Sequence, residues 1–432
     1  MHELTPSRLG ARLAQMRTQL AQRRGEDLTQ RQLALALGVK PQAYNMWEQG
    51  KALPRLDHLW RLARYYRVSL DILCGYAGNE DATDGIAWES IRRPESQEDE
   101  QALDLFHQAL AGDFEDGVDS ARVGLAIRHV IYSQLIRIKR APHPHEELAH
   151  RLKKCFNVGE KKRLKDVRVI PFAAGVPDQL RALVVGVAAK EYLLEHLDGN
   201  PSIGLAPGYT VSCMVRAMHR EDPVRPFSVY PLVALPVVDR PDIDANTLIG
   251  ELLHKYADRG VRGLALQCPG FSLGNNSLEH NHTAREVLTR ATCVDMAFVG
   301  IGSVEGPVPY FDRAIMNILD ITGISVENLK ERGIVGDLCF HLLDAAGNPQ
   351  EKRLSAGLSA VSLETLQHLV SIGQRVVVVA SNPLKAGPIY SALRGGDSGR
   401  GYVNVLIIDA QVAERLLALT EAHQRDPALR LV

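Results

Sequence analysis

The spacing of apolar positions divides this chain of 432 residues into three segments. Residues 1–76 carry apolar residues at the spacing of short helices. Residues 77–132 open with an acidic stretch that is poor in aliphatic residues and can bury little apolar surface, and they return to helical spacing from about Gln101 to Tyr132. Residues 133–432 alternate between short apolar runs and helical stretches. The pattern predicts a helical domain, then an acidic linker with a helical connector, and then a long α/β domain.

The apolar runs of the third segment have the length and composition of buried strands. The segment LIRIKR, at 135–140, alternates like a strand. Six further runs follow, namely VRVI near Val167, VYPLVAL near Val229, LALQC near Leu264, MAFVGIG near Met296, VVVVA near Val376 and VNVLII near Val403. Strands that alternate with helices form mostly parallel sheets with helices on both faces. The predicted fold class is therefore α/β, preceded by an all-α head.

Residues 28–54, LTQRQLALALGVKPQAYNMWEQGKALP, have the pattern of two short helices joined by a tight turn. Thr29 can cap a helix that runs to Leu37, and Gly38 can adopt the left-handed conformation that ends it. A second helix begins near Pro41. Its predicted inward residues are Tyr44 and Trp47, and its predicted outward residues are Gln42, Ala43, Asn45 and Met46. Such a pair lays its second helix in the major groove of DNA, where Gln and Asn amides can pair with adenine.

This segment resembles the helix-turn-helix of the lambda-repressor and xenobiotic-response-element type over about residues 6–76. The matching positions are Thr29-Gln30, Leu33-Ala34, Leu37-Gly38-Val39, Trp47-Glu48, Gly50-Lys51 and Pro54. By that resemblance Gln30 contacts backbone phosphate, and the residues that line the DNA face are Lys40, Gln42, Ala43, Asn45 and Met46. Pro41 departs from the pattern, because a polar or basic residue is more usual there. A helical bundle used only for protein contacts is the alternative.

The distribution of charge favours DNA binding over that alternative. The whole chain has a net charge of −1, but residues 1–76 contain twelve Lys and Arg against six Asp and Glu, a net charge of +6. Residues 77–432 carry −7. A basic head on an acidic body indicates a polyanionic partner for the head alone, so the predicted partner is double-stranded DNA.

Glycine-rich segments of the body indicate a candidate anion site. The segment IGLAPGYT places Gly204 and Gly208 before Thr210, where a helix would begin and its free N–H groups could bind an anion. A plain tight turn would explain these glycines equally well. The segment DMAFVGIGS ends a buried strand in a second glycine pair, at the sheet edge where open α/β folds bind ligands. Lys385 follows the strand VVVVA and can meet a phosphate as a point charge, although a solvated surface lysine is the alternative.

Together these segments resemble the sugar-binding domain of the SorC family of bacterial regulators, from about Leu135 to Leu417. The resemblance rests on LIRIKR with EELAHRLKKCFNV, the GxxxGYT turn, VDMAFVGIGS, GIVGDL, the lysine after VVVVA, and YVNVLIIDAQVAERLL. It implies a Rossmann-like domain similar to the phosphosugar isomerases, with a phosphorylated sugar as the effector. The implied site residues are Gly204, Gly208, Tyr209 and Thr210 in a phosphate loop, Gly300 and Gly302 along the pocket, Asp337 as acceptor for sugar hydroxyls, and Lys385 as partner of the phosphate.

Several positions depart from the SorC pattern. Ala206 replaces the usual second glycine of the loop, and Pro207 stands where an aromatic residue is common. Ser381-Asn382 replaces the glycine pair that usually precedes the lysine. The customary N-terminal winged helix is replaced by the repressor-type head and by residues 77–132. These departures leave open which sugar is bound and whether it is phosphorylated, and a nucleotide or an unphosphorylated polyol is a lesser alternative.

The predicted function is a ligand-responsive DNA-binding transcription regulator that is not an enzyme. A phosphosugar-converting enzyme with an accessory DNA-binding head is the alternative. Isomerases of this fold need an acid/base set, and GPVPYFDRAIMN follows the GIGS segment in place of an Asp-x-His-Gly-type cluster. One head covers one half-site, so at least a homodimer is expected, and the SorC resemblance implies a homotetramer.

Other features restrict location and cofactors. No apolar run reaches the ~18 residues of a membrane span, and the N-terminus lacks an apolar signal region, so a cytoplasmic protein is expected. The six cysteines are scattered, which predicts reduced thiols. His280 and His282 have no third ligand at a readable spacing, so neither a metal nor a cofactor is expected.

Overall fold

The computed structural model describes the chain except for a set of short stretches. These are residues 1–5, 25–27, 67–72, 74–86, 91–93, 95, 112–119, 133–134, 159–160, 173–175, 235–240, 273–277, 279–280, 306–312, 351 and 426–432. The chain separates into two compact units, residues 1–89 and 90–432. Most of the predicted acidic linker lies outside the described residues. The predicted domain boundaries at 76 and 132 stay predictions.

The helix-turn-helix forms where the sequence predicts it. The first unit contains helices α1 (Pro6–Arg24), α2 (Gln30–Ala36), α3 (Pro41–Glu48) and α4 (Leu56–Tyr66). The Thr29 side-chain oxygen accepts from the Gln32 N–H, and the Gln32 side-chain oxygen accepts from the Thr29 N–H, so a capping box starts α2. Gly38 has φ +66° in the turn between α2 and α3, a conformation that favours glycine.

A compact apolar core holds these four helices together. Tyr44 and Trp47 are buried in it, as predicted, and Tyr65 and Tyr66 pack against it. The hydroxyl groups of Tyr44 and Tyr66 lie 2.7 Å apart and share a hydrogen bond. Burial raises the pKa of both hydroxyl groups above the usual value. Tyr66 therefore takes part in helix packing.

A short strand and two helices precede the sheet of the second unit. They are β1 (Ala87–Ser90), α5 (Gln97–Ala111) and α6 (Ser120–Tyr132), and α5 packs along α6. His129 of α6 lies 2.7 Å from the buried Asp99 carboxylate of α5, which links the two helices. Strand β2 (Ile136–Arg140) follows and confirms the strand predicted from LIRIKR.

A sheet of seven parallel strands forms the centre of the second unit. Its strands are β5 (Asp166–Ile170), β6 (Ser202–Leu205), β7 (Ser228–Pro231), β8 (Arg262–Gly263), β9 (Met296–Val299), β13 (Arg375–Ala380) and β14 (Val405–Asp409), in the order β5-β14-β13-β9-β6-β7-β8. Every pairing between them is parallel. The predicted parallel α/β sheet is thus confirmed.

Smaller elements complete the second unit. Short antiparallel sheets are formed by β3 (Asn157–Val158) with β4 (Lys161–Lys162), and by β10 (Gly302–Ser303), β11 (Ile334–Leu338) and β12 (His341–Asp344) in that order. The helices are α7 (Glu146–Phe156), α8 (Asp178–Glu195), α9 (Tyr209–Ala217), α10 (Ala245–Tyr256), α11 (His282–Ala291), α12 (Arg313–Thr322), α13 (Val326–Glu331), α14 (Lys352–Gly357), α15 (Leu363–Ser371), α16 (Ala386–Arg394) and α17 (Ala410–Arg425).

Helices cover both faces of the large sheet. In β13, Val376 and Val378 belong to one apolar cluster with α7, α11, α15, α16 and α17. Val377 is equally buried but lies outside that cluster, and α8 and α9 contact the same strand. Successive side chains of a strand point to opposite faces, so the continuous valine run reflects burial on both sides. None of the helices in the described ranges combines the length and apolar character that a membrane crossing requires.

Two predicted strands differ from those observed. The LALQC run is not a strand: β8 ends at Gly263, the residue directly before it. The Asn246 side chain binds both backbone groups of Leu266 instead, at 2.7 Å and 3.1 Å, which replaces a strand partner. The MAFVGIG run is divided into β9 and the antiparallel β10, because the chain leaves the large sheet after Val299.

Candidate ligand site and candidate DNA-facing helix

The sheet has one point at which the direction of chain progression reverses. From β6 the chain continues to β7 and β8 on one side, and then crosses to β9 on the other side of β6. Parallel sheets of this kind leave a crevice outside the carboxyl ends of the two strands that flank the reversal, and ligands bind there. The crevice between β6 and β9 is therefore the candidate ligand site.

The two predicted glycine loops meet at this crevice. Gly208 follows β6 with φ +150°, a conformation that only glycine adopts readily. A Cβ atom on Gly208 would lie 3.7 Å from the Cα atom of Gly300, which follows β9, and a Cβ atom on Gly300 would lie 3.7 Å from the Pro207 oxygen. A Cβ atom at either position would make an ordinary van der Waals contact with the other loop, so the two loops lie close together at the crevice.

Helix α9 begins at the crevice with groups that suit an anion. Gly208 is its N-cap and makes no side-chain capping bond, and Tyr209 and Thr210 form its first turn. The first N–H groups of a helix lack intrahelical partners and carry the positive end of the helix dipole. Thr210 is 3% exposed, and none of the described residues hydrogen-bonds its hydroxyl group. A hydroxyl group beside the first N–H groups of a helix is typical of an anion site.

The turn that carries Lys385 is joined to the second glycine loop. Residues Pro383–Lys385 form one 3-10 turn after β13, and α16 begins at Ala386. The fully buried Ser303 donates its hydroxyl hydrogen to the Leu384 oxygen at 2.8 Å. Sequence analysis did not single out Ser303, although it ends the GIGS segment and joins two of the predicted pieces.

Asp337 lies beside the same loop but already has a structural contact. It pairs with Gly302 across β10 and β11, and it is 6% exposed. Its Oδ2 atom accepts from the Phe340 N–H at 3.1 Å, which closes a hairpin turn in which Cys339 and Phe340 both have positive φ. One carboxylate oxygen of Asp337 therefore holds the turn, and its predicted role towards sugar hydroxyls stays a prediction.

Gly204 differs from the other predicted site residues. It lies within β6, where a Cβ atom would come 2.5 Å from the Leu232 side chain, so close packing alone explains a glycine there. The structure brings together the backbones of seven predicted residues at the carboxyl edge of the sheet: Gly208, Tyr209, Thr210, Gly300, Gly302, Asp337 and Lys385. The contribution of each to ligand binding stays a prediction.

Asp244 is a second residue near the crevice that sequence analysis missed. Its neighbour Ile243 accepts the Gly208 N–H at 3.3 Å, so Asp244 lies close to the first glycine loop. One oxygen of Asp244 caps α10 by accepting from the Thr247 N–H, while Oδ1 is buried without a hydrogen-bond partner among the described residues. An aspartate directly before the helical segment ANTLIGELLHKY is the sequence signal that could have identified it.

The predicted DNA face of α3 is partly exposed. Lys40 and Gln42 are exposed, and Met46 is 47% exposed. Ala43 is half-buried and packs against the core of the head. Asn45 is half-buried too, and its Oδ1 atom is shielded from solvent. The expected outward orientation thus holds fully for Gln42 and Met46 and in part for the other two. Gln30, the first residue of α2, is also half-buried.

Comparison with known families assigns both units. The family model described as "Putative sugar-binding domain" matches residues 146–418, which is well over half of the chain. The chain belongs to this sugar-binding family. A helix-turn-helix model matches residues 20–73. These matches confirm the resemblance to SorC-family regulators, here with a repressor-type helix-turn-helix at the N-terminus.

Individual relatives agree with this assignment. "Transcriptional regulator LsrR" of Enterobacter sp. (strain 638) is 32% identical over 143 residues, which are 33% of this chain and 41% of LsrR. The chain thus covers about two fifths of that relative's length. The phage repressor RstR of Vibrio cholerae is 27% identical over 90 residues, 21% of this chain and 80% of RstR. Full-length SorC from Klebsiella pneumoniae superposes with a TM-score of 0.51 at 17% identity, covering 74% of this chain and all of SorC, and so shares its fold.

Proposed function

We propose that this protein is a DNA-binding transcription regulator whose sugar-binding domain senses a phosphorylated sugar or a closely related metabolite. The observation that carries the proposal is the convergence of three elements at the strand reversal between β6 and β9. These elements are the uncapped start of α9, the loop of Gly300 and Gly302, and the turn that bears Lys385. The proposal places the effector in the crevice that they surround.

The chemistry of this crevice favours an effector that carries an anionic group. The N–H groups at the start of α9 attract negative charge, and Lys385 adds one full positive charge on a neighbouring loop. Hydroxyl groups of a sugar would in turn find the Thr210 hydroxyl and the carboxylates of Asp337 and Asp244. A phosphorylated sugar combines both kinds of group. An unphosphorylated polyol would lack the anionic group.

The head supplies the contact with DNA. Its net charge of +6 suits phosphate neutralisation, and α3 is the recognition helix of the proposal. Gln42 and Met46 are exposed on that helix, where they can reach base edges and the thymine methyl group. One recognition helix covers a single half-site, so we propose a homodimer or homotetramer that binds paired half-sites in the cytoplasm.

Effector and DNA are coupled in this proposal by a shift between two arrangements of subunits. The effector binds one arrangement more tightly, and that arrangement sets the spacing of the heads. The helical pair α5 and α6 is the candidate connector. Gly124 of α6 packs against Gln179, because a Cβ atom on Gly124 would lie 3.0 Å from the Gln179 side chain. Gln179 is at the start of α8, which follows the carboxyl end of β5. This contact is a route by which the sheet edge can influence the connector.

Sensing without catalysis is the proposed mode of action. His341 follows the Asp337 turn, yet its Nε2 atom is 3.0 Å from the Val361 oxygen, and burial lowers the pKa of its ring. A neutral imidazole that is already bonded to the backbone is a poor candidate for general acid/base work on a sugar. This observation supports a sensor over the phosphosugar-converting enzyme.

A thermal-shift screen on the full chain tests the proposal. The panel consists of hexose and pentose phosphates, the same sugars without phosphate, nucleotides, and inorganic phosphate as the minimal anion. We expect stabilisation by at least one sugar phosphate and a smaller or no shift from its unphosphorylated partner, because binding to the folded state alone raises the melting temperature. A shift from polyols but from no phosphorylated compound would contradict the phosphate assignment.

A further inference from the structure

Asn382 has a backbone conformation that asparagine seldom adopts. It lies at the carboxyl end of β13 with φ +86° and ψ +120°, and it is 6% exposed. A residue with a Cβ atom persists there only where its surroundings hold it firmly. The Ser381-Asn382 pair also stands where the SorC pattern has two glycines, so the asparagine side chain calls for a specific explanation.

Every polar group of Asn382 has a partner. Its backbone N–H donates to the Asp409 Oδ2 atom at 3.0 Å, and its side-chain amide donates to the Asp178 carboxylate. Its Oδ1 atom accepts from the Leu384 N–H at 2.9 Å, and its backbone oxygen accepts from the Lys385 N–H at 3.1 Å. The residue is thus fixed by two carboxylates on one side and fixes the start of the lysine turn on the other.

The two carboxylates are themselves held in place. Asp409 is completely buried, and its Oδ1 atom accepts from the Val412 N–H at 2.8 Å at the start of α17. The Arg181 side chain, 8% exposed, pairs with Asp178 and lies 3.7 Å from the Asp409 Oδ2 atom. Arg181 and Asp409 are buried, and the Asp178 side chain is 36% exposed. Buried charges that are paired and hydrogen-bonded resist rearrangement, so this network holds both carboxylates in place.

We propose that Asn382 is a positioning residue of the effector site: clamped by Asp178 and Asp409, it sets the turn that presents Lys385, an assignment that rests on the proposed function. Asn382 holds the backbone N–H groups of both Leu384 and Lys385. From the opposite side Ser303 holds the Leu384 oxygen. The clamp therefore determines where the Lys385 side chain starts, and it ties that point to Asp178, the first residue of α8.

The comparison between asparagine and glycine separates positioning from simple packing. Glycine adopts φ +86° without strain, so Asn382→Gly keeps the backbone path and removes the side-chain clamp. The Lys385 turn should then be less ordered and Lys385 less often in its binding position. Asn200→Gly is a matched control, because Asn200 also has a positive φ, +58°, but lies in an exposed turn before β6, at the opposite edge of the sheet.

Hydrogen–deuterium exchange on the ligand-free full chain tests the clamp directly. We expect the Leu384 and Lys385 amides to exchange at least ~10-fold faster in Asn382→Gly than in the wild type, because their acceptors are lost or loosened. Asn200→Gly should leave them unchanged. Unaltered exchange in Asn382→Gly would overturn the positioning role. This measurement needs no effector, so its result does not depend on the proposed function.

Binding of inorganic phosphate then tests whether the clamp acts through Lys385. We expect Asn382→Gly to weaken phosphate binding by about three- to tenfold, and to have no further effect in a Lys385→Ala background, because coupled residues are not additive. A full additional loss in the double variant would show that Asn382 acts independently of Lys385 and would overturn the proposal. If wild-type protein bound no phosphate while the exchange result held, the clamp would stand and the proposed anion site would fall.

Discussion

Arg17 and Glu48 form a two-point salt bridge that joins α1 to the end of α3. The Arg17 guanidinium donates to the Glu48 Oε1 atom from Nε at 3.1 Å and from Nη2 at 2.8 Å, and it also donates to the Leu28 oxygen at 2.9 Å. The Glu48 side chain is only 5% exposed. The salt bridge thus links α3 to α1 through a carboxylate that is largely removed from solvent.

Replacing Glu48 should destabilise the head. Glu48→Gln keeps the shape but leaves Arg17 without its charged acceptor, and we expect a loss of ~1.5–3 kcal/mol in the free energy of unfolding. Trp47 and Trp60, two of the three tryptophans, lie in helices α3 and α4 of the head, so urea unfolding followed by fluorescence reports largely on it. Glu286→Gln, in an exposed ion pair with Arg290 of the second unit, should change this transition by less than ~0.5 kcal/mol. An equal effect of both variants would refute this role of Glu48.

The second unit should lose stability as the pH falls from about 6.5 to 4. Burial, with the nearby charge of Arg137, lowers the pKa of His219 to about 4, although Asp222 opposes the shift. Between the two pKa values the unfolded chain binds a proton that the folded unit does not, so unfolding becomes easier as the pH drops. His219→Gln should flatten this part of the stability curve by about 1 kcal/mol, a value reduced for partial exposure. His143→Gln, at an exposed position, should leave the slope unchanged.

The recognition helix should read DNA through Gln42 and Asn45. Replacing either with Ala should cost ~1–3 kcal/mol at the operator, while salt-sensitive nonspecific binding persists because Lys and Arg supply it. Asn45 is half-buried, so it must reorient its amide to reach a base, and we expect Gln42→Ala to have the larger effect. Gel shifts with operator DNA and with scrambled DNA measure specific and nonspecific binding, and Gln108→Ala on the exposed face of α5 is the control. If both substitutions leave the choice between the two DNAs intact, another face of the head reads the sequence.

The operator should be an approximate palindrome. Each chain has one recognition helix, so tight specific binding requires two half-sites separated by whole helical turns of ~10 base pairs. Footprinting on selected DNA fragments shows the protected half-sites directly. Full-affinity protection of a single half-site by a monomer would be the contrary result.

The sequence predicted the elements of this protein better than the contacts among its site residues. Thr29, Gly38 and Pro41 mark helix boundaries through local hydrogen bonding and backbone geometry, which the chain encodes within a few residues. The meeting of Gly208 with Gly300 depends on the strand order, which brings together loops about ninety residues apart, and only the family resemblance anticipated it. The prediction of a strand at LALQC was wrong, because the Asn246 side chain hydrogen-bonds the backbone N–H and oxygen of Leu266. Asn382 appeared in the sequence only as a departure from a glycine pair, and its clamp is a tertiary arrangement that no local pattern encodes.

Lys385→Ala separates a sensor from an enzyme and tests the crevice. The substitution removes one charge-assisted contact, which is worth ~1.5–3 kcal/mol, so affinity for the best sugar phosphate of the screen should fall by about one to two orders of magnitude. Lys330→Ala, an exposed lysine on α13, should leave that affinity unchanged. Isothermal titration calorimetry measures both, and unaltered affinity in Lys385→Ala would remove this lysine from the site.

The same variant shows whether ligand binding controls DNA binding. Operator affinity without effector should barely change, because Lys385 lies in the second unit and the base-reading residues lie in the first. Addition of the effector should no longer alter the gel shift at concentrations that act on the wild type, since an effector shifts an equilibrium only through its differential affinity for the two states. Incubation of the wild type with the effector provides the last comparison. Formation of a product from the effector would show that the protein is an enzyme. A sensor requires that the effector stays unchanged and that it no longer alters operator binding in Lys385→Ala.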